Sequence, residues 1–83
     1  MIDASKMRSA LSAINAVLVG ARYMAYQGRA HSDIAWVLDV AEYLPVLMLE
    51  STDRTQHFRD QLVALSEKYP EFGDAVFRFD SPA

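Results

Sequence analysis

No cysteine occurs in the 83 residues, which excludes disulfides, thiolate zinc sites, iron–sulfur clusters and cysteine nucleophiles together. Glycine and proline are scarce, three of each, so the chain has too few breakers for a loop-rich fold. Acidic side chains are missing from the whole stretch between Asp3 and Asp33. Long apolar runs are missing as well: Arg22 closes the longest weakly polar stretch, Asp39 and Glu42 interrupt the next, and neither approaches the roughly 18–20 residues of a membrane span. The N-terminus has no basic segment followed by an uninterrupted apolar one and a small-residue cleavage site, so no secretory signal is expected and the cytoplasm is the expected compartment. There is no nucleophile elbow, phosphate-binding glycine loop or HExxH sequence.

What is present is apolar. Hydrophobic residues make up 52% of the chain and charged residues 23%, a balance too rich in core material for disorder. The length suits one domain over residues 1–83. A fold of this size hides only roughly 60–65% of the surface its unfolded chain exposes, and such marginal burial invites a partner. The net charge of −3 argues against a nucleic-acid binder, which ordinarily carries a basic excess. The charge is unevenly placed: residues 1–31 carry +3 and residues 32–83 carry −6.

The periodicity is helical throughout. Met7, Leu11, Ile14, Leu18, Ala21 and Ala25 recur at alternating spacings of four and three, predicting a helix near 5–27 with this stripe toward the core. Asp3 or Ser5 can cap its start, and Gly28 supplies a left-handed residue after its end. Ser32 is the next candidate cap, followed by Ile34, Val37, Leu38, Ala41, Leu44 and Met48, for a second helix near 33–50 kinked at Pro45. The short connection makes the two an antiparallel hairpin. Ser51 and Thr52 cap a third helix near 53–68, carrying Phe58, Leu62, Leu65 and Tyr69 and stopped by Pro70. Phe72, Val76 and Phe79 predict a short C-terminal helical turn plugging the open end, and residues 81–83 are expected to fray. The fold class is therefore all-α, a small helical bundle built on a hairpin.

Opposite its apolar stripe, the first helix places Ser12, Ala16, Val19, Gly20 and Tyr23, a face with no acid and with a run of small residues that lets another backbone approach. Gly20 costs about 1 kcal/mol in a helix interior, so a packing reason is expected for it. These five residues are the candidate self-association surface. On the second helix Trp36 and Tyr43, with Asp39 and Glu42 as an acidic rim, form a candidate surface for a larger protein partner. Asp53, His57 and Asp60 share one stripe of the third helix at metal-ligand spacing, but a solvated helix face accounts for them, and no metal, cofactor or catalytic role is assigned. His31 reads as a loop residue with nothing positioned to orient it, and Asp39 and Glu42 lack the cleft that acid–base catalysis needs. Arg22 and Arg29 are expected to meet Asp33, Asp39, Glu42 or Glu50. By subtraction, the sequence points to a non-enzymatic protein-interaction module, a helical homodimer that binds or inhibits a larger protein. The alternative is a small nucleic-acid-associated regulator using the basic first helix, with Tyr23 and Tyr26 stacking on bases.

Overall fold

A computed structural model describes residues 4–42 and 55–81, which form a small all-α bundle. Its described elements are α1 (Ala4–Tyr26), α2 (His31–Ala41), α3 (Thr55–Lys68), a single 3₁₀ turn (Pro70–Phe72) and α4 (Gly73–Asp80). At 1.5 Å per residue, α1 is roughly 35 Å long and sets the 37 Å long axis of the molecule. It packs along α2 on one flank and along α4 on the other, while α3 closes the bundle mainly against the 3₁₀ turn and α4.

Local chemistry explains most of the boundaries. Gly28 stands at φ +71° after α1, its amide bonded to Ala25 O at 3.1 Å and that of Arg29 to Met24 O at 3.0 Å. This is a Schellman ending, which satisfies two orphan carbonyls and turns the chain back. The chain turns so tightly that α2 starts at His31, earlier than expected: Ala30 is the N-cap, its carbonyl accepting from the Asp33 and Ile34 amides. Ser32, the expected cap, and His31, expected in a loop, therefore both lie in the first turn of α2. Asp33 in that turn complements the positive end of the helix dipole. The helix closes at Ala41 and not near residue 50. Its last α-type bond runs from the Glu42 amide to the Leu38 carbonyl at 3.0 Å. The expected kink at Pro45 and the capping residues Ser51 and Thr52 lie outside the described residues.

The core differs from the sequence expectation in one important respect. Ala10, Ala13, Ile14, Val17, Ala21 and Met24 are the buried hydrophobics of α1, whereas Leu11 and Leu18 remain 46% and 47% exposed and Ala25 is exposed too. The buried face is thus turned by roughly a quarter of the helix circumference from the stripe of bulky aliphatics. Volume is the reason. Phe58, Phe72 and Phe79, all fully or nearly fully buried, fill the space between the helices, and rings of that size require alanines opposite them. Phe58 meets Phe79 edge to face at 5.1 Å, and Tyr69 meets Phe72 at 6.2 Å.

The C-terminus is held, not frayed, at Ser81. Ser9, buried on α1, donates its hydroxyl to the Ser81 carbonyl at 2.9 Å, and Lys6 donates its ammonium to the Phe79 carbonyl at 2.7 Å while lying 3.8 Å over the Phe79 ring. A cation on the last carbonyls of a helix is favoured by the helix dipole. Arg59 of α3 grips Asp80 with two hydrogen bonds of 2.9 and 2.8 Å, and this pair holds the Asp80 carboxyl below the usual carboxylate range. Residues 82 and 83 lie outside the described residues.

Candidate functional site

The residues predicted for self-association meet at one groove. It runs between α1 and the C-terminal segment and encloses about 320 Å³. Ala16, Gly20, Phe72 and Ala75 form its apolar floor, Val19 and Tyr23 one wall, and Asn15, Glu71, Asp74 and Arg78 its polar rim. Ser12 joins the rim by accepting a hydrogen bond from Arg78 Nη1 at 3.2 Å.

Gly20 has its packing reason inside the chain. A Cβ built there would clash with the edge of the Phe72 ring, with Cζ only 2.7 Å away. A ring edge, and not a second helix backbone, fills the space that glycine leaves. Ala16 is likewise partly buried against the core, while Val19 and Tyr23 stay 48% and 61% exposed. One half of the predicted surface is thus spent on internal packing and the other half is presented outward.

The rim is charged and internally paired. Arg78 Nε bonds Asp74 at 2.7 Å across one turn of α4, and Arg29 reaches Glu71 at 3.3 Å. Arg29, expected to meet the acids of the second helix, is therefore drawn to the C-terminal segment, where it also lies 5.7 Å over the Tyr69 ring. Among the described residues no ion pair joins Arg22. Just outside the rim stands Phe77, 71% exposed and the most conspicuous apolar side chain of α4. Sequence reasoning passed over it. The available signal was that Phe77 is an aromatic residue off the Phe72–Val76–Phe79 stripe, where a solvated helix face would carry a polar one.

The other candidates are placed differently. Trp36 is half-buried and tilted against Tyr69 at a centroid distance of 6.0 Å, with Lys68 lying 5.6 Å over its ring, so it belongs to the edge of the core. Asp39 and Glu42 are exposed beside Leu38, which is 39% exposed, and Tyr43 lies outside the described residues. Tyr69 donates its hydroxyl to Asp33 at 2.7 Å; that bond, burial and the carboxylate charge together push its phenol above the ordinary tyrosine value. On α3, His57 and Asp60 are exposed, with Asp60 accepting from Gln56 at 2.9 Å, and Asp53 lies outside the described residues. No group of three His, Asp or Glu side chains is placed to hold a metal among the described residues. No helix among them is long and apolar enough to cross a membrane.

No protein-family model, curated protein or solved structure matches the chain.

Proposed function

We propose that the chain is a non-enzymatic protein-interaction module, a helical homodimer whose remaining surface binds or inhibits a larger protein. The observation that carries this reading is the outer face of α1. Leu11, Leu18, Val19, Tyr23 and Tyr26 are between 46% and 80% exposed on one helix that has no acidic residue. Single exposed hydrophobics need no explanation, but five within sixteen residues of one helix make a patch of the kind that marks an interaction surface. The groove continues that face toward α4, so the surface has both a raised and a recessed part. For a larger partner, exposed Asp39 and Glu42 beside Leu38 offer an apolar centre with an acidic rim.

Light scattering after size exclusion, run across a range of micromolar concentrations, tests the homodimer. The expected mass is that of two chains; the mass of one chain at every concentration overturns it. Tyr23 and Tyr26, exposed together with Arg22, also favour a second reading, in which α1 carries nucleic acid by stacking and phosphate contacts. Binding to single-stranded nucleic acid that weakens steeply as salt rises supports that reading. Its absence at low salt removes it.

A further inference from the structure

We infer that the outer seam of α1 is a docking site for an acidic amphipathic helix of a larger protein, which packs along it as a coiled coil. The inference rests on the protein-interaction reading and names the chemistry of the partner.

The seam is a heptad pattern that the core does not use. Arg8, Leu11, Asn15, Leu18, Arg22 and Ala25 follow one another at alternating spacings of three and four, the a and d positions of successive heptads, and all six are exposed. They centre about 130° around α1 from the buried Ala10, Val17 and Met24. Leu11, Leu18 and Ala25 are therefore periodic and yet outside the core because they are the d positions of a second, external seam. A solvated face has no use for leucines repeated at that spacing.

Charge selects the occupant. The a positions are Arg8, Asn15 and Arg22; no ion pair joins either arginine among the described residues, and α1 has no acidic residue. Pairing two copies along this seam would gather four guanidinium groups in one interface to which neither α1 brings a carboxylate, and burying unpaired charge is costly. A foreign helix with acids facing Arg8 and Arg22 replaces that cost with two charge-assisted pairs roughly 21 Å apart. Asn15, between them, sets the register, because its amide is satisfied only where the facing residue is polar. A bilayer fits less well, since an interfacial helix keeps its cations on the polar face, and here they stand among the leucines. Nucleic acid would meet only two arginines on this seam, in a chain of net charge −3. Val19 and Tyr23 of the self-association surface lie on the flank toward the groove, so a homodimer built through them leaves the seam open.

Two synthetic helices test this against the full chain. Both have about four heptads with Leu at d, Asn at the central a position, and Ala and Gln outside the seam; one carries Glu at the a positions facing Arg8 and Arg22, and the other carries Lys there. Fluorescence anisotropy is expected to show one-to-one binding of the Glu helix with a Kd of about 10 μM or tighter, and binding of the Lys helix weaker by about tenfold or more. The double variant Arg8→Glu and Arg22→Glu, with unchanged circular dichroism, is expected to invert that preference. Leu18→Ala is expected to weaken binding of the Glu helix by about tenfold, the effect of losing one buried leucine. Failure of the Glu helix to bind, equal binding of the two helices, or an uninverted preference in the double variant overturns the inference. So does binding of single-stranded DNA or phosphatidylglycerol vesicles with neither helix bound, which assigns the arginines to phosphate. A two-chain wild type that the double variant converts to one chain also overturns it and gives the seam to a second copy. In the first group of failures a wild-type mass of two chains leaves the homodimer reading standing. A one-chain mass with the Glu helix bound and the preference inverted upholds the seam and removes only the homodimer.

Discussion

Gly20 shows how a single missing side chain organises a small core. Its replacement by alanine gains up to about 1 kcal/mol of helix propensity but drives a methyl group into the Phe72 ring. That ring is 2% exposed and held edge-on against Tyr69, so it has little freedom to withdraw, and overpacking of this kind costs about 1–3 kcal/mol. Gly20→Ala is therefore expected to lower stability by about 1 kcal/mol in thermal or urea melts, and by less in a Phe72→Leu background, because the two sites are in contact and their effects do not add. A raised melting temperature would show that the ring moves freely. Tyr69 makes a second prediction, this one about pH. Its hydrogen bond to Asp33 raises the phenol above its ordinary value of about 10, so the folded state holds that proton more tightly than the unfolded state does. The resulting stability is fully present below about pH 10 and is lost as pH rises through the folded value. Melting temperatures of Tyr69→Phe should accordingly fall less steeply than those of wild type on the alkaline side. Parallel curves for the two proteins would dismiss the linkage.

At the scale of elements, the helices and most of their ends were legible because they depend on near neighbours. Gly28 closes α1 through its own positive φ, and Pro70 ends α3 by the conformation it imposes on Tyr69, which sits extended at φ −127°. The face of α1 was not legible, because spacing reveals that a helix has an apolar side and tertiary volume decides which side is used. The bulky stripe through Leu11 and Leu18 is periodic, yet the alanine-rich face is the buried one. This quarter turn has a measurable consequence. Met24→Ala, at a position with no exposure, is expected to cost about 2–5 kcal/mol, whereas Leu18→Ala, half-exposed on the same helix, should cost about 1 kcal/mol or less. Equal losses in urea melts would return Leu18 to the core.

At the scale of the molecule, stability and association are linked through mass action. If the folded chain dimerises and the unfolded chain does not, the melting temperature rises with protein concentration. A rise over a hundredfold concentration range is therefore expected for wild type. A wild-type melting temperature independent of concentration would mean that the monomer is self-sufficient despite the apolar outer face of α1.

The sequence by itself determined that the chain is helical, where the hairpin turns, that a short aromatic C-terminal segment is helical, and that Ser12, Ala16, Val19, Gly20 and Tyr23 share a face with no acid. Each of these follows from interactions between residues close along the chain: periodicity, a left-handed glycine, a proline without an amide. Only the tertiary structure decided that Phe72 covers Gly20, that Arg29 turns to Glu71, that Ser9 and Lys6 hold the C-terminal helix, and that Phe77 stands beside a groove. Those pairings join residues from 42 to 73 positions apart, with Ser9 and Ser81 separated by 72, and no local pattern encodes them. They arise because large rings from one end of the chain must be matched by small side chains from the other if so few residues are to close a core.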